Sequence, residues 1–182
     1  HIFSPEIRTE IARRLIGAGF KRMEVFSCVK PEIAPSMNEK EMRSITQALE
    51  KTEGVELITL VPNRAGFENF LRLDLGPDGY HHTMGFFFSV VEAHNLANIG
   101  KTIEDTISEY KIMAAEAALR NIPVIGYLSA VFGYFDPKSR TLHKADLKKV
   151  NEYIDLYFDL GTSAVTLSDL QGMADQQETI KV

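Results

Sequence analysis

The 182-residue sequence contains a single cysteine, Cys28, and this excludes two structural classes. One thiol cannot form an internal disulfide or a cysteine-rich zinc site, and it fits a reducing compartment. Long apolar runs are also missing. None approaches the roughly 20 residues that a helix needs to cross a bilayer, and the first residues have no signal-peptide core. The sequence therefore predicts a soluble protein with no membrane partner.

Positive charge is scarce as well. Lys and Arg number 20 against 25 Asp and Glu, which leaves a formal net charge of -5, and the basic residues are scattered among the acids. Nucleic acids and acidic surfaces require clustered cations, so we expect no nucleic-acid partner. The hydrophobic content of 45% is that of an ordinary globular chain with enough apolar material for one core. We therefore predict a single domain over residues 1–182.

Apolar segments alternate with helical segments along the chain. The predicted strands cover residues 22–29, 55–61, 82–91, 122–131 and 164–167. The predicted helices cover residues 5–17, 38–52, 65–73, 102–120 and 144–160, and another begins near Met173. Capping residues such as Ser4 and Asn38 mark helix starts, a polar loop is expected at 136–140, and helical spacing predicts inward positions at Leu147, Val150, Ile154 and Phe158. The near-continuous apolar strands indicate an α/β fold with a parallel sheet.

Polar residues follow these strands and indicate a barrel. They are Ser27, Lys30, Asn63, Arg64, Glu92, Asn95, Ser129 and Asp169. The (β/α)8 TIM barrel places its chemistry at the carboxyl ends of its strands, whereas the nucleotide loops GxGxxG and GxxxxGK[ST] of many open sheets are absent. A whole barrel takes about 250 residues and eight strands. We therefore predict a partial barrel with about strands 2 to 6 of 8, whose open edges favour a homo-oligomer.

Two carboxylates are the candidate reactive groups. Glu24 lies in an apolar strand that we expect to be in the interior, where an acid is costly unless a cation or strong donors meet it. Asp169 follows another strand of the same kind. We expect both to meet at the mouth of the barrel. The alternatives are that Glu24 is a structural carboxylate paired with an arginine, and that Asp169 caps a turn before Gly172.

Five segments together give a family resemblance. They are GFKRMEVFSCVKPEIAPSM, LVPNRAGFE, Glu92 with Asn98-Ile99, GYLSAVFG and LSDLQG. In this order they resemble the 3-hydroxy-3-methylglutaryl-CoA lyase family of metal-dependent TIM barrels, over nearly the whole chain. The resemblance implies an acyl-CoA substrate, a divalent metal, Mg²⁺ or Mn²⁺, and cleavage to acetyl-CoA and acetoacetate. It also implies a cytoplasmic protein, or a mitochondrial matrix protein in a eukaryote.

The resemblance also implies roles for residues. Glu24 and Asp169 match catalytic acids, and residues at or near the strand ends would bind substrate: Ser27, Asn63, Glu92, Ser129 and Tyr134. The metal ligands would lie mostly outside this sequence, because the Asp-Arg pair of strand one and the His-x-His pair of strand seven have no counterpart here. Tyr134 in FGYFDP replaces the cysteine of FGCP, and Val91 replaces a serine. These changes affect the expected substrate more than the reaction.

Two other functions remain open from the sequence. One is condensation or aldol cleavage of a 2-oxoacid by the same superfamily, and the other is an inactive barrel fragment that serves as a binding module. Several residues have structural interpretations: Cys28 as a small buried hydrophobe, His94 as a surface or capping residue, and His81 and His82 at the end of the barrel that serves stability. Lys30, Arg64 and Lys101 are either solvated charges or contacts for CoA phosphates.

Overall fold

The computed structural model describes residues 3–29, 32, 38–49, 53–73 and 82–174, and the chain divides into two compact units. The first unit ends at Gly85 and the second begins at Phe86. The boundary falls inside one strand, so this strand runs on from the first unit into the second. A single domain over the whole chain stays a prediction.

The first unit alternates helices with parallel strands. Its elements are α1 (Pro5–Gly17), β1 (Arg22–Ser27), α2 (Glu39–Ala48), β2 (Glu56–Leu60), α3 (Arg64–Arg72) and the first half of β3 (His82–Ser89). Strand β2 lies between β1 and β3, and both pairings are parallel. The predicted alternation of helices and strands is confirmed here, with each strand a little shorter than predicted.

Side-chain caps begin the helices of this unit at the residues that the sequence predicts. Ser4 accepts a hydrogen bond from the Ile7 amide at 3.5 Å, and Asn38 accepts one from the Glu41 amide at 3.0 Å. Such caps satisfy amides that have no partner inside the helix. The predicted starts of α1 and α2 are therefore confirmed.

The core of the first unit consists of aromatic and aliphatic side chains from its strands and α3. Nearly all of the surface is buried for Phe26, Ile58, Phe67, Phe70 and Met84. His82 joins them, because its Nδ1 lies 2.8 Å from Thr59 Oγ1 and its ring stacks on Phe26 at 5.5 Å. This position supports the structural interpretation of His82, whereas His81 lies outside the described residues.

The second unit continues the same pattern and adds a hairpin. Its elements are the second half of β3, α4 (Glu92–Ile99), α5 (Ile103–Leu119), β4 (Val124–Ser129), β5 (Tyr134–Asp136), β6 (Thr141–His143), α6 (Leu147–Asp159) and β7 (Val165–Ser168). Strand β4 lies between β3 and β7, and it pairs with β7 in parallel. The helix predicted from Met173 onward falls mostly outside the described residues.

Helix α4 was not predicted, and tertiary contacts explain why it forms. It has eight residues, and Val91 at its N-cap supplies no side-chain cap. Buried Asn95 anchors it instead: Oδ1 accepts from the Ser89 amide, while Nδ2 donates to the Lys101 carbonyl and to Thr106 Oγ1, all at 3.0 Å. A short helix held by distant partners leaves little local signal in the sequence.

The hairpin of β5 and β6 lies where the sequence analysis predicts only a polar loop. The Asp136 carboxylate accepts hydrogen bonds from the Lys138 amide at 2.8 Å and the Ser139 hydroxyl at 2.7 Å, which hold the turn. Gly133 precedes β5 with φ 126°, and a Cβ there would lie 2.8 Å from the His143 carbonyl oxygen. The loop predicted at 136–140 is therefore the turn of this hairpin, and the two short strands beside it were not predicted.

One predicted core position on α6 is wrong. Phe158 is 52% exposed, and the neighbouring Tyr157 is fully buried. Val150 and Tyr157 are seven residues apart, which places them on one face of the helix. The Tyr157 hydroxyl donates to the Tyr127 carbonyl at 3.0 Å and lies 3.4 Å from the Phe86 carbonyl. These acceptors allow a tyrosine to be buried and so select the register of the helix.

Tyr110→Phe is expected to destabilise the protein by about 1 kcal/mol, the typical net contribution of a buried hydrogen bond. Tyr110 is fully buried on α5, and its hydroxyl donates to the Phe87 carbonyl at 2.7 Å. The measurement is the free energy of unfolding in urea. Tyr153→Phe is the control, because its hydroxyl makes no hydrogen bond with the described residues. Equal losses in the two variants would contradict the prediction.

Candidate functional site

Glu24 lies on β1 at a break in strand pairing. Glu24 pairs with Ile58 and Phe26 pairs with Thr59, so Val25 is an extra residue in the strand. Such bulges occur often at barrel rims and beside active sites, where they redirect a side chain. The expectation that Glu24 is buried is wrong. Its side chain is exposed, because β1 is an outer strand that pairs with β2 alone among the described residues.

A cavity of ≈ 180 Å³ lies beside Glu24 in the first unit. Arg8 and Glu24 line it together with apolar side chains of α1, β1 and α2. Arg8 makes an ion pair with Glu41 at 3.4 Å, and its Cζ lies 5.7 Å from the centre of the Phe26 ring. Burial lowers the pKa of Arg8, although the charge of Glu41 acts in the opposite direction. The cavity therefore offers an apolar wall with one cation and one carboxylate.

Asn63 follows β2, and its side chain caps α3. Its Oδ1 accepts a hydrogen bond from the Gly66 amide at 2.9 Å. The close approach of Gly66 to β1 explains its lack of a side chain, since a Cβ there would lie 2.8 Å from the Cys28 carbonyl oxygen. Ser27 ends β1 and is partly buried opposite Leu60. The end of β1 and the segment after β2 thus lie at the same edge of the sheet.

Cys28 is buried, as the sequence analysis predicts. Burial raises the pKa of its thiol to about 12. A thiol with so high a pKa is not ionised at neutral pH, which does not favour a nucleophilic role. The interpretation of Cys28 as a small buried hydrophobe is confirmed.

Backbone hydrogen bonds join the strand ends of the second unit. The Ser129 carbonyl accepts from the Val90 amide at 3.1 Å, and the Val131 amide donates to the Ser168 carbonyl at 3.3 Å. Ser129 and Ser168 are direct partners in the pairing of β4 with β7. The ends of β3, β4 and β7 therefore lie side by side, and two predicted site residues, Ser129 and Asp169, are close in the fold.

Both carboxylate oxygens of Asp169 accept backbone hydrogen bonds. The Met173 and Ala174 amides donate to them at 2.9 Å each, and these two bonds lower the pKa of Asp169. The contacts match the turn-cap alternative. They also favour the ionised form of the group, which suits it to meet a cation or a hydrogen-bond donor. A catalytic role for Asp169 stays a prediction.

Glu92 is exposed, and its carboxylate accepts a hydrogen bond from the Ile103 amide at 3.1 Å. A cavity of ≈ 350 Å³ in the second unit is lined by residues that include Glu92, His143 and Tyr153. The bond to Ile103 lies at the first turn of α5, where a negative charge is favourable. Glu92 thus joins α4 to α5, and substrate binding by Glu92 stays a prediction.

The two lysines and the arginine that are candidate CoA contacts differ in their hydrogen-bond partners. Both carboxylate oxygens of Glu109 accept hydrogen bonds from Lys101 Nζ at 2.8 Å. Arg64 pairs with Glu68 at 3.3 Å, four residues along α3. Lys30 lies outside the described residues. Lys101 and Arg64 are thus paired with carboxylates and are not isolated solvated charges, and their contact with CoA phosphates stays a prediction.

Tyr134 begins the hairpin and lies between two histidine rings. Its ring centre is 4.7 Å from that of His94 and 6.3 Å from that of His143. Gln171 holds the next residue: its Oε1 accepts from the Phe135 amide at 2.7 Å and its Nε2 donates to the Phe135 carbonyl at 3.1 Å. No local sequence pattern marks this role of Gln171, because its partner is far away along the chain.

His94 is not at the surface, contrary to the interpretation made from the sequence. It is only 8% exposed, and its Nδ1 has no hydrogen-bond partner among the residues described. Burial lowers the pKa of His94. The reason is the contact between α4 and the hairpin, and neither element was predicted.

Stability is expected to decrease as the pH falls below about 6.5, the pKa of an unfolded histidine. The folded-state pKa of His94 is lower than this value, so the unfolded state binds more protons between the two pKa values. The stabilising contribution is present above the unfolded pKa and is lost towards the folded one. His94→Phe is expected to unfold with a weaker pH dependence in urea between about pH 7 and 5. Identical pH slopes for the two proteins would refute this prediction.

The part of the chain that the structure describes contains no group of three His, Cys, Asp or Glu side chains able to hold a metal ion. Asp169 already bonds two amides, and Glu24 lies on an outer strand. These residues alone do not form a divalent-metal site. Within the same described residues, no helix combines the length and apolar character needed to cross a membrane.

Comparison with known proteins gives a consistent set of relatives, although no family model matches the chain. A mitochondrial hydroxymethylglutaryl-CoA lyase of Arabidopsis thaliana is 26% identical over 173 residues, which is 95% of this chain and 34% of the relative. A hydroxymethylglutaryl-CoA lyase of Bacillus subtilis is 28% identical over 169 residues, 92% of this chain and 52% of the relative. The chain thus spans about half or less of the length of these relatives.

Solved structures agree on the fold. The HMG-CoA lyase of Bacillus subtilis superposes with a TM-score of 0.81 at 25% identity, over 98% of this chain and 55% of that one. An HMG-CoA lyase of Acinetobacter baumannii, solved with coenzyme A and 3-methylmalate, gives a TM-score of 0.82 at 19% identity, over 98% and 54%. The predicted α/β class and partial TIM barrel are confirmed by these neighbours.

Proposed function

Because this chain belongs to the hydroxymethylglutaryl-CoA lyase family, we propose that the protein containing it is a carbon-carbon lyase that cleaves 3-hydroxy-3-methylglutaryl-CoA. The observation that carries the proposal is the agreement with the Bacillus subtilis lyase over 98% of the chain. The products are acetyl-CoA and acetoacetate. The relatives include mitochondrial, cytoplasmic and bacterial proteins, so they leave the compartment open.

The reaction defines what the site must do. A base removes the proton of the substrate's C3 hydroxyl, the bond between C2 and C3 breaks, and its electron pair passes to the thioester enolate. An acid then protonates C2 of this enolate to give acetyl-CoA, while the oxygen at C3 becomes the ketone of acetoacetate. The developing negative charge on the enolate oxygen needs a cation or hydrogen-bond donors. No oxidant or reductant takes part.

We assign the proton-handling roles to Glu24 and Asp169. Asp169 suits an orienting anion, since two backbone amides favour its ionised form, and its part in proton transfer is assigned from the resemblance. Glu24 suits contact with a ligand, because it is exposed and lines a cavity.

Residues near the strand ends are assigned to substrate binding. These are Ser27, Asn63, Glu92, Ser129 and Tyr134, as the resemblance implies. The Asn63 Nδ2 group has no hydrogen-bond partner among the residues described, and so a donor remains available after Oδ1 has capped α3. The acyl-CoA substrate is proposed from the relatives' names, and a neighbouring lyase was solved with coenzyme A.

We also propose that the whole protein depends on a divalent metal, with ligands mostly outside the described residues. The described residues do not fit such an ion by themselves, so none of the steps above is assigned to it. A bound divalent ion would supply positive charge to the substrate oxygens. The test is removal of the metal with a chelator and its restoration with Mg²⁺ or Mn²⁺.

The decisive experiment is release of acetyl-CoA from 3-hydroxy-3-methylglutaryl-CoA by the full-length protein with Mg²⁺, with and without chelator. Metal-dependent release of acetyl-CoA and acetoacetate in equal amounts is expected. No release from the folded protein in Mg²⁺ and in Mn²⁺ would refute the lyase proposal. Incorporation of acetyl-CoA into a product with a 2-oxoacid would instead assign the protein to the condensing enzymes.

A further inference from the structure

The contact between His94 and Tyr134 joins a helix at the end of β3 to the hairpin at the end of β4. We propose that His94 is a positioning residue that holds Tyr134 at this edge, and that acceptance of the acyl group by the lyase site depends on the contact. The second half of the proposal rests on the proposed function. The first half can be tested without any activity.

His94 stands on a rigid support. The next residue, Asn95, is fully buried and connects α4 to the end of β3 and to the start of α5 through three hydrogen bonds of 3.0 Å. Glu92, one turn earlier in the chain, adds a bond to the Ile103 amide at 3.1 Å. These contacts leave α4 little freedom to move. A ring carried by α4 is therefore a suitable fixed point for a neighbouring segment.

The hairpin needs such a fixed point. Its strands are three residues long, and an isolated two-stranded hairpin is marginally stable in water. Its apolar side chains contribute little burial, since Phe135 is 42% exposed and Leu142 is 50% exposed. Among the described residues, the Gln171 amide group bonds the Phe135 backbone and the His94 ring packs against Tyr134. Loss of the His94 ring should therefore loosen β5.

His94 holds Tyr134 by packing of the two rings and not by a hydrogen bond between them. The centres of the His94 and Tyr134 rings are 4.7 Å apart with an angle of 44° between their planes, a favourable geometry for aromatic pairs. Nδ1 of His94 makes no hydrogen bond within the described residues, so the ring does not orient Tyr134 through that nitrogen. A phenylalanine can reproduce the packing. A ring without polar atoms should therefore restore what an alanine removes.

Tyr134 relates the contact with His94 to the acyl groups that the proposed lyase site accepts. It stands in FGYFDP, where the resembled family has FGCP, so a large ring replaces a small side chain at the end of β4. A bulky side chain at the edge of a site reduces the space for substrate. Its position then decides which acyl groups fit, and His94 determines that position. Displacement of the ring should affect substrate binding more than the chemical step.

The kinetic test uses the full-length protein and 3-hydroxy-3-methylglutaryl-CoA. His94→Ala is expected to raise KM about tenfold, which corresponds to about 1.4 kcal/mol, with kcat changed less than about threefold. His94→Phe should return KM to within about twofold of the parent. Leu96→Ala, at an exposed position of the same helix, is the matched control and should leave both constants unchanged. Failure of phenylalanine to restore KM would overturn the proposal.

The structural test needs no activity. Amide hydrogen exchange in the hairpin should accelerate about tenfold in His94→Ala and remain unchanged in Leu96→Ala. In unfolding experiments, His94→Ala and Tyr134→Ala should not be additive when combined, because they remove the same contact. Additive effects would overturn the contact. If the protein shows this coupling but no lyase activity, the positioning contact is supported and the proposed function alone fails.

Discussion

Glu24→Gln and Asp169→Asn are each expected to lower kcat of the full-length protein by about 10²- to 10⁴-fold, the usual contribution of a positioned acid or base. The amides keep the shape of the side chains and remove the charge and the ability to accept a proton. Glu24 is exposed, so its replacement should leave the free energy of unfolding within about 0.5 kcal/mol of the parent. The measurement is acetyl-CoA release with saturating substrate and metal.

Two matched variants separate chemistry from folding. Glu104→Gln on α5 and Asp155→Asn on α6 make the same chemical changes at exposed helical positions, and both should retain full activity. Asp169 also holds a turn through the Met173 and Ala174 amides, so hydrogen exchange of these amides must be followed in Asp169→Asn. Near-parental kcat in Glu24→Gln or in Asp169→Asn would remove that residue from the proposed catalytic pair.

Gly126→Ala is expected to destabilise the protein by about 2–3 kcal/mol, the upper part of the range for overpacking in a core. A Cβ on Gly126 would lie 2.6–2.9 Å from Cγ and the two Cδ atoms of the Tyr157 ring. These atoms are near the base of the side chain and cannot move far. Tyr157 is also held by its hydroxyl bond to the Tyr127 carbonyl and by stacking on Phe88 at 5.1 Å. The measurement is the free energy of unfolding in urea.

Gly17→Ala is the control for this substitution. Gly17 ends α1, and nothing lies within 4 Å of the position of its Cβ. Alanine favours a helix more than glycine does, so this change should be neutral or stabilising by up to about 1 kcal/mol. The combination Gly126→Ala with Tyr157→Leu should recover part of the loss, because the leucine side chain is smaller and flexible. Equal stability of the two alanine variants would contradict the packing argument.

The elements with strong local signals could be predicted from the sequence. Ser4 and Asn38 cap α1 and α2 as expected, and the apolar runs became the five strands of the parallel pairings. The resemblance to the lyase family could also be recognised from the sequence, because it rests on short segments of neighbouring residues. The relatives found by comparison carry the name of the same family. Local chemistry is sufficient for such features, since the interacting residues are close in sequence.

The candidate site was less predictable, and particular residues show why. Glu24 was expected in an interior, yet its exposure depends on which strands flank β1. His94 was expected to be a surface or capping residue, yet it is buried against a hairpin that begins forty residues later. Gln171 has no distinctive neighbours in sequence, and its partner Phe135 lies on that hairpin. Each outcome depends on a contact between distant segments.

The sequence by itself determined the α/β class, the order of the main elements and the resemblance to the lyase family, because periodicity, caps and short motifs act over a few residues. Only the tertiary structure decided the exposure of Glu24, the burial of His94, the hairpin and the choice of Tyr157 over Phe158 as the core residue. These depend on which surfaces meet after folding. Burial and long-range hydrogen bonds arise from contacts between segments that are distant in sequence, so they leave no local pattern in the chain.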